Sequence, residues 1–321
     1  MKQRASAMRA CHARFQRGIS LVELMIASAL GLLVILAAIG LLVVSRHTYV
    51  TLDEKIAVQE VGHYALAILA RSVRQASWTR GKEDGKETAM PGPATGLRTG
   101  ILGLDNRSLR MSSENIESPI AAVSQGSDVL AIRFDGAEDA SMLNCAGFAV
   151  DGVETAERGW SIFFIGGERN SEPELRCKYR GKNSWRTEGI ARGVESFQVL
   201  YGINTDGSGL PNQFVNASRI EQLNADLNGE EDEEESEGND YWSKVVAVRI
   251  ALLVRSSRKL DEAGPSPPYH LFGASYSTLH GASDRGTLVR EEDIPADSRL
   301  RLRRVFVTTI PLRNAYVRGD G

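Results

Sequence analysis

No proline precedes Pro91, and no acidic residue precedes Glu23. The first absence frees the amino-terminal stretch of the strongest helix breaker. The second leaves Lys2, Arg4, Arg9, Arg14 and Arg17 unopposed. From Leu24 to Val44 there is no charge of either sign. A helix of that length, rising about 1.5 Å per residue, spans roughly 32 Å, enough for a bilayer's hydrocarbon core. Cysteine is scarce as well. Cys11 lies in the basic stretch, which leaves Cys145 and Cys177. No Cys-x-x-Cys or His-x-x-x-His spacing accompanies them, which argues against a structural zinc site. The five histidines, His12, His47, His63, His270 and His280, are scattered. There is no Gly-x-Ser-x-Gly, no P-loop and no dinucleotide glycine pattern. These absences exclude the common enzyme classes, and neither catalytic residues nor a cofactor is expected.

What is present starts with Gly18. The basic flank before the apolar run is of the kind that stays cytoplasmic, which places the bulk of the chain outside the cytoplasm. A secretory signal would be cut after its apolar region. Here the one cut-like site, Gly18-Ile19, lies before it. Glu23 is the only charge between Arg17 and Arg46. A carboxylate at the edge of a membrane span costs about 2–4 kcal/mol unless it finds a partner. Cleavage after Gly18 would create one, the α-amine of Ile19, within the helix or on a neighbouring, axially offset copy.

The stretch Gly18-Ile19-Ser20-Leu21-Val22-Glu23-Leu24-Met25-Ile26-Ala27 resembles the class III signal of type IV prepilins. The resemblance implies that a membrane-bound prepilin peptidase cuts after Gly18 and methylates Ile19. It also implies that Glu23, the fifth mature residue, steers subunit docking. Ile19 stands where the family usually has Phe. The implied organisation is a cleaved leader over 1–18, a long helix over 19–78 with its transmembrane span at 24–44, and a periplasmic β-rich head over 79–321. Loss of the basic leader makes the formal charge of −3 more negative still, which opposes general nucleic-acid binding.

The apolar positions Val58, Val61, Ala65, Leu69, Val73 and Ala76 keep helical spacing past the span. Glu54, Lys55, Arg71 and Arg74 fall off that stripe and read as its solvated side. Gly31, Gly40 and Gly62 are candidate bends. Gly81–Pro93 reads as an exposed loop, and Ile101–Gln125 as short irregular pieces. Alternation marks strands at Val129–Phe134, Trp160–Ile165, Leu175–Tyr179, Phe197–Ile203, Val245–Val254 and Leu302–Thr309. Trp160–Ile165 is apolar on both faces, as in a strand covered on both sides. On Val245–Val254, Val245 falls on the face of Arg249 and Arg255. The expected fold class is α+β, a long amino-terminal helix packed on a mostly antiparallel sheet.

The head resembles the PilW family of type IV minor pilins. The matching blocks are Gly126-Ser127-Asp128-Val129-Leu130, Asn144-Cys145-Ala146-Gly147, Val199-Leu200-Tyr201-Gly202-Ile203, Val246–Arg255, Arg304–Thr309 and Leu312-Arg313-Asn314. The implied role is a minor pilin in pilus assembly or initiation, in or near the pilus tip. Its implied partners are the prepilin peptidase, other minor pilins, the major pilin and the inner membrane. A J-type minor pseudopilin of type II secretion shares the architecture. A membrane-anchored adhesin that never polymerises would have no use for Glu23.

Cys145 and Cys177 form an even pair in an oxidising compartment, which predicts a disulfide. Asn204, Asp206 and Ser208 have the spacing of half a calcium loop, but Val215 stands where a bidentate Glu is expected, so a plain turn competes with it. The run Glu230–Glu235, with Glu237 and Asp240, reads as a disordered loop over 229–240.

Overall fold

The computed structural model describes residues 18–77, 100–150, 159–167, 172–228, 240–259 and 267–313. The basic stretch, the loop expected at Gly81–Pro93 and the acidic run Glu230–Glu237 lie outside the described residues. The chain divides into two compact units, Met1–Leu52 and Asp53–Gly321. Helix α1, Leu21–Gln75, crosses that boundary. In the first unit every described side chain up to Tyr49 is exposed. From Leu24 to Val44 α1 carries no charge and is apolar on nearly every side. It is long and apolar enough to cross a membrane.

The second unit contains two antiparallel sheets where the alternation suggested one. The strands of the first are β1 (Ile101–Leu104), β4 (Val129–Phe134), β5 (Gly159–Gly166), β6 (Glu174–Arg180) and β7 (Trp185–Arg192), in that spatial order. The second runs β13 (Arg301–Pro311), β10 (Val245–Lys259), β8 (Val194–Ile203) and β9 (Gln213–Val215). Two ribbons accompany them, β2–β3 (Arg107–Ser108 with Ile120–Ala121) and β11–β12 (Tyr269–His270 with Leu288–Val289). Helices α2 (Ala217–Asn228) and α3 (Ala274–His280) complete the unit.

One apolar core joins α1 to the inner faces of both sheets. Val58, Ala65, Leu69, Val73 and Ala76 meet Ile132 and Phe163 from one sheet and Val199, Ile250 and Phe306 from the other. The helix face is the stripe expected from 3.6-residue spacing. Outer faces are covered too. Leu109 and Ile116 close over Ala131, Ile162 and Phe164. Leu271, Val289 and Ile294 close over Ala251 and Leu253. Every residue of β5 is consequently buried, as its two-sided apolar pattern predicted. In β10 a bulge between Val245 and Ala247 turns Val245 into the main core, away from the face that simple alternation assigns it.

Three expectations for α1 change. Glu54 is buried, because its carboxylate accepts hydrogen bonds from the backbone N–H of Ser257 (3.0 Å) and the Ser257 hydroxyl, and Arg258 pairs with it at 3.5 Å. Arg71 is half-buried and donates to the Asn144 carbonyl at 3.2 Å. Gly62 is a seat for an aromatic ring within an unbroken helix. A Cβ there would stand 2.4 Å from the Phe306 ring. Gly62→Ala should gain up to about 1 kcal/mol in helix propensity and lose about 1–3 kcal/mol by overpacking. The expected net result is a lower melting temperature for the purified full-length protein. Gly31→Ala, at a position with nothing within 4 Å of its Cβ, keeps the propensity gain without the overpacking and is expected not to lower the melting temperature.

Candidate functional site: the processing and docking segment

Gly18, Ile19 and Ser20 precede the helix in non-helical backbone. Ser20 explains where α1 starts. Its hydroxyl accepts from the Glu23 N–H at 3.2 Å, and the Glu23 carboxylate accepts from the Ser20 N–H at 3.1 Å. This reciprocal pair is a capping box, which satisfies two of the donors a helix leaves free at its beginning. Glu23 therefore has one backbone partner inside its own chain, at the end of the helix where negative charge is favoured. The pattern Ser20-Leu21-Val22-Glu23 before an apolar run carried this information, and the reading by resemblance passed over Ser20. Gly18 is exposed with nothing within 4 Å of its Cβ position, and Ile19 is 77% exposed. Among the described residues nothing covers the Gly18–Ile19 bond.

The expected pair of cysteines is bonded. Cys145 and Cys177 form a disulfide with Cα atoms 5.9 Å apart, buried in the main core. Cys145 sits in a tight loop closed by the bridge Leu143–Ala149, and the Asn144 side chain accepts from the N–H groups of Ala146 and Phe148, both at 3.0 Å. The Arg71 contact to Asn144 lies beside it, so the disulfide fastens β6 to the loop that lines the end of α1. Replacing both cysteines by serine is expected to destabilise the head by about 2–3 kcal/mol, the lower part of the usual range because the core is large. Denaturant melts of the oxidised and reduced wild type beside the double variant check this. Coincident melts for all three would contradict it.

The remaining candidates resolve into structural parts. The Asp206 carboxylate accepts from the Ser208 N–H at 3.0 Å, and Gly207 and Gly209 have φ of +75° and +78°. Asn204–Gly209 is thus a turn joining β8 to β9. Among the described residues no group of three or more His, Cys, Asp or Glu is placed to hold a metal ion. Asp240 accepts from the Trp242 N–H (3.0 Å) and the Asn224 amide (2.7 Å), an ordered cap at the edge of the acidic run. His63 packs edge-on against Phe306, and His280 lies against Tyr276.

Alternation did not reveal the buried charges. Glu195 on β8 accepts from Arg303 through both oxygens (2.6 and 3.0 Å) and from Arg255 at 3.2 Å. Lys178 on β6 is buried and donates to the carbonyls of Arg110 (2.6 Å) and Ser113 (3.0 Å) and to the Ser113 hydroxyl (2.9 Å). Burial pushes its ammonium down to about 8, against acceptors that favour the charged form. These groups hold sheets and loops together, and the geometry around them is structural.

Comparison with known proteins agrees with this division. Residues 13–39 match the prokaryotic N-terminal methylation motif, and residues 162–314 match the family described as Type IV Pilus-assembly protein W. No curated protein matches the sequence. Among solved structures the chain is similar to a type IV-like pilin from Thermus thermophilus, at 14% identity over 83% of this chain and 98% of that one, with a TM-score of 0.38. That likeness is too slight to add to the two family matches. A methylation motif at the head of an exposed apolar helix, followed by an α+β unit, defines a type IV pilin-like protein, a structural class that is not enzymatic. Within that class residues 162–314 are similar to the PilW type of minor pilin, and the amino-terminal motif implies processing by a prepilin peptidase and pilin partners.

Proposed function

We propose that this protein is stored in the inner membrane and acts in the assembly or initiation of a type IV pilus, entering the filament in or near its tip. The observation that carries the reading is the coupling, on one chain, of Gly18–Glu23 to an exposed apolar helix and to a head matching a pilus-assembly family. In this reading residues 1–18 are a leader removed by the prepilin peptidase, and Ile19 becomes the methylated amino terminus. Residues 24–44 span the bilayer once and residues 79–321 are periplasmic. On assembly the apolar helix exchanges lipid for the side chains of neighbouring helices, a transfer between two apolar surroundings. Glu23 meets the Ile19 amine of an adjacent subunit and sets the register. One carboxylate can take that amine while keeping the Ser20 N–H, because it has about four acceptor sites.

The test is the fate of the tagged full-length chain in its own cells. It should fractionate with the inner membrane, appear in small amounts in sheared pili, and co-purify with other minor pilins. Its deletion should strip pili from the surface. Normal piliation with failed protein secretion would replace this reading with that of a J-type pseudopilin.

A further inference from the structure

Three aspartates bind together parts of the head that are far apart in sequence. Asp105, in the turn after β1, accepts from the N–H groups of Ala217 (3.1 Å) and Ser218 (2.6 Å), the first turn of α2. Asp128, just before β4, accepts from the N–H of Asn106 (3.0 Å) and, across to the other sheet, from that of Val199 in β8 (2.9 Å). Asp284, in the layer over the outer face of the four-stranded sheet, accepts from the Tyr276 hydroxyl of α3 at 2.8 Å and from Asn216, which precedes α2. Asp128 is 2% exposed and Asp284 4%.

The groups facing this junction are mostly of one sign. Asp105 and Asp284 both bear on Asp128. Asp105 also bears on Asp284, where His280 on α3 acts in the opposite sense. From β8 comes the Tyr201 hydroxyl, buried, in the field of Asp105 and Asp128, and without a hydrogen-bond partner among the described residues. Burial first, and then these like charges, hold the Asp128 carboxyl well above the ordinary carboxylate range, against its two backbone hydrogen bonds. Protonation of Asp128 leaves both of its oxygens able to accept from Asn106 and Val199 and removes one of three mutually repelling charges.

We propose that Asp105, Asp128 and Asp284 form an acid-stabilised junction, in which a proton held at Asp128 fastens the two sheets to α2 and the outer layer, and loss of that proton to solvent as pH rises loosens them. The sign follows from linkage. An unfolded aspartate titrates near 3.8, so above that pH the folded chain holds a proton that the unfolded chain has released. The stabilisation is complete below about 3.8 and is lost as pH rises through the folded-state value.

The experiment compares melting temperatures of full-length wild type, Asp128→Asn and Asp284→Asn in the same detergent, from about pH 4.5 to about pH 8. Other carboxylates titrate in that range, so the readout is the difference between variant and wild type. For Asp128→Asn the difference should move in the variant's favour as pH rises, by about 3–5 °C per pH unit within the window. Asp284→Asn removes one like charge and should show the same sign at smaller size, which keeps the test open if Asp128→Asn does not fold. Differences that are flat across the range, or that move in the variant's favour toward acid, would overturn the proposal.

Discussion

Glu23→Gln is expected to leave the protein in the membrane at normal levels, with its leader removed, and to cut its recovery in sheared pili by on the order of tenfold or more. The capping box explains the first half. Glutamine at that position still accepts the Ser20 N–H, so the start of α1 survives the substitution. A neutral amide is no harder to place in a bilayer than a carboxylate. The second half follows from the proposed pairing with a neighbour's Ile19 amine. An ion pair in apolar surroundings loses at least about 1.4 kcal/mol when one charge is removed, which is tenfold in association. The measurement pairs the mature protein in the membrane fraction with the protein in sheared pili. Wild-type incorporation would show that Glu23 serves only its own helix, and would favour an anchored protein that does not polymerise. Glu23→Ala, which also removes the cap, is expected to shorten the helix as well and so separates the two roles.

A comparably large effect is expected in the head. Glu195→Ala should destabilise it by about 3–5 kcal/mol, because it leaves the Arg303 and Arg255 guanidinium groups buried without their carboxylate. The Arg303 side chain is only 1% exposed, so solvent cannot replace the lost partner. Denaturant melts of the full-length variant should show the loss in the transition midpoint. A change under about 1 kcal/mol would place the ion pair with the weak surface class.

The strands that alternation identified, β4, β5, β6, β8, β10 and β13, are all present, because each turns apolar residues into the core at period-two spacing: a full face in the first five, and Phe306 and Ile310 in β13. Strand β7 was missed because it lies at a sheet edge, half exposed, and its apolar residues do not alternate. Helix α2 was missed because it is short and mostly polar, with only Ala217 and Ile220 buried in the core. The buried charges were illegible for a related reason. Glu54 read as solvated, and nothing in the strand patterns singled out Lys178 or Glu195; the burial of all three depends on distant segments: Ser257, Arg110–Ser113 and Arg303. No local pattern encodes such a lid. The amino-terminal motif was legible because it is a matter of short-range spacing, and residues 13–39 match the N-terminal methylation motif; the roles of Gly18, Ile19 and Glu23 are part of the proposal. Only the Ser20 half of the cap was overlooked.

Intact mass and N-terminal sequencing by mass spectrometry, on protein extracted from the membrane fraction, address the proposed storage and processing most directly. The expected mature chain begins at Ile19, carries one methyl group on its α-amine, and retains Leu24–Val44. An N-terminus downstream of Val44 would contradict the reading, since a chain cut there has lost both Glu23 and the helix that would carry it into a pilus.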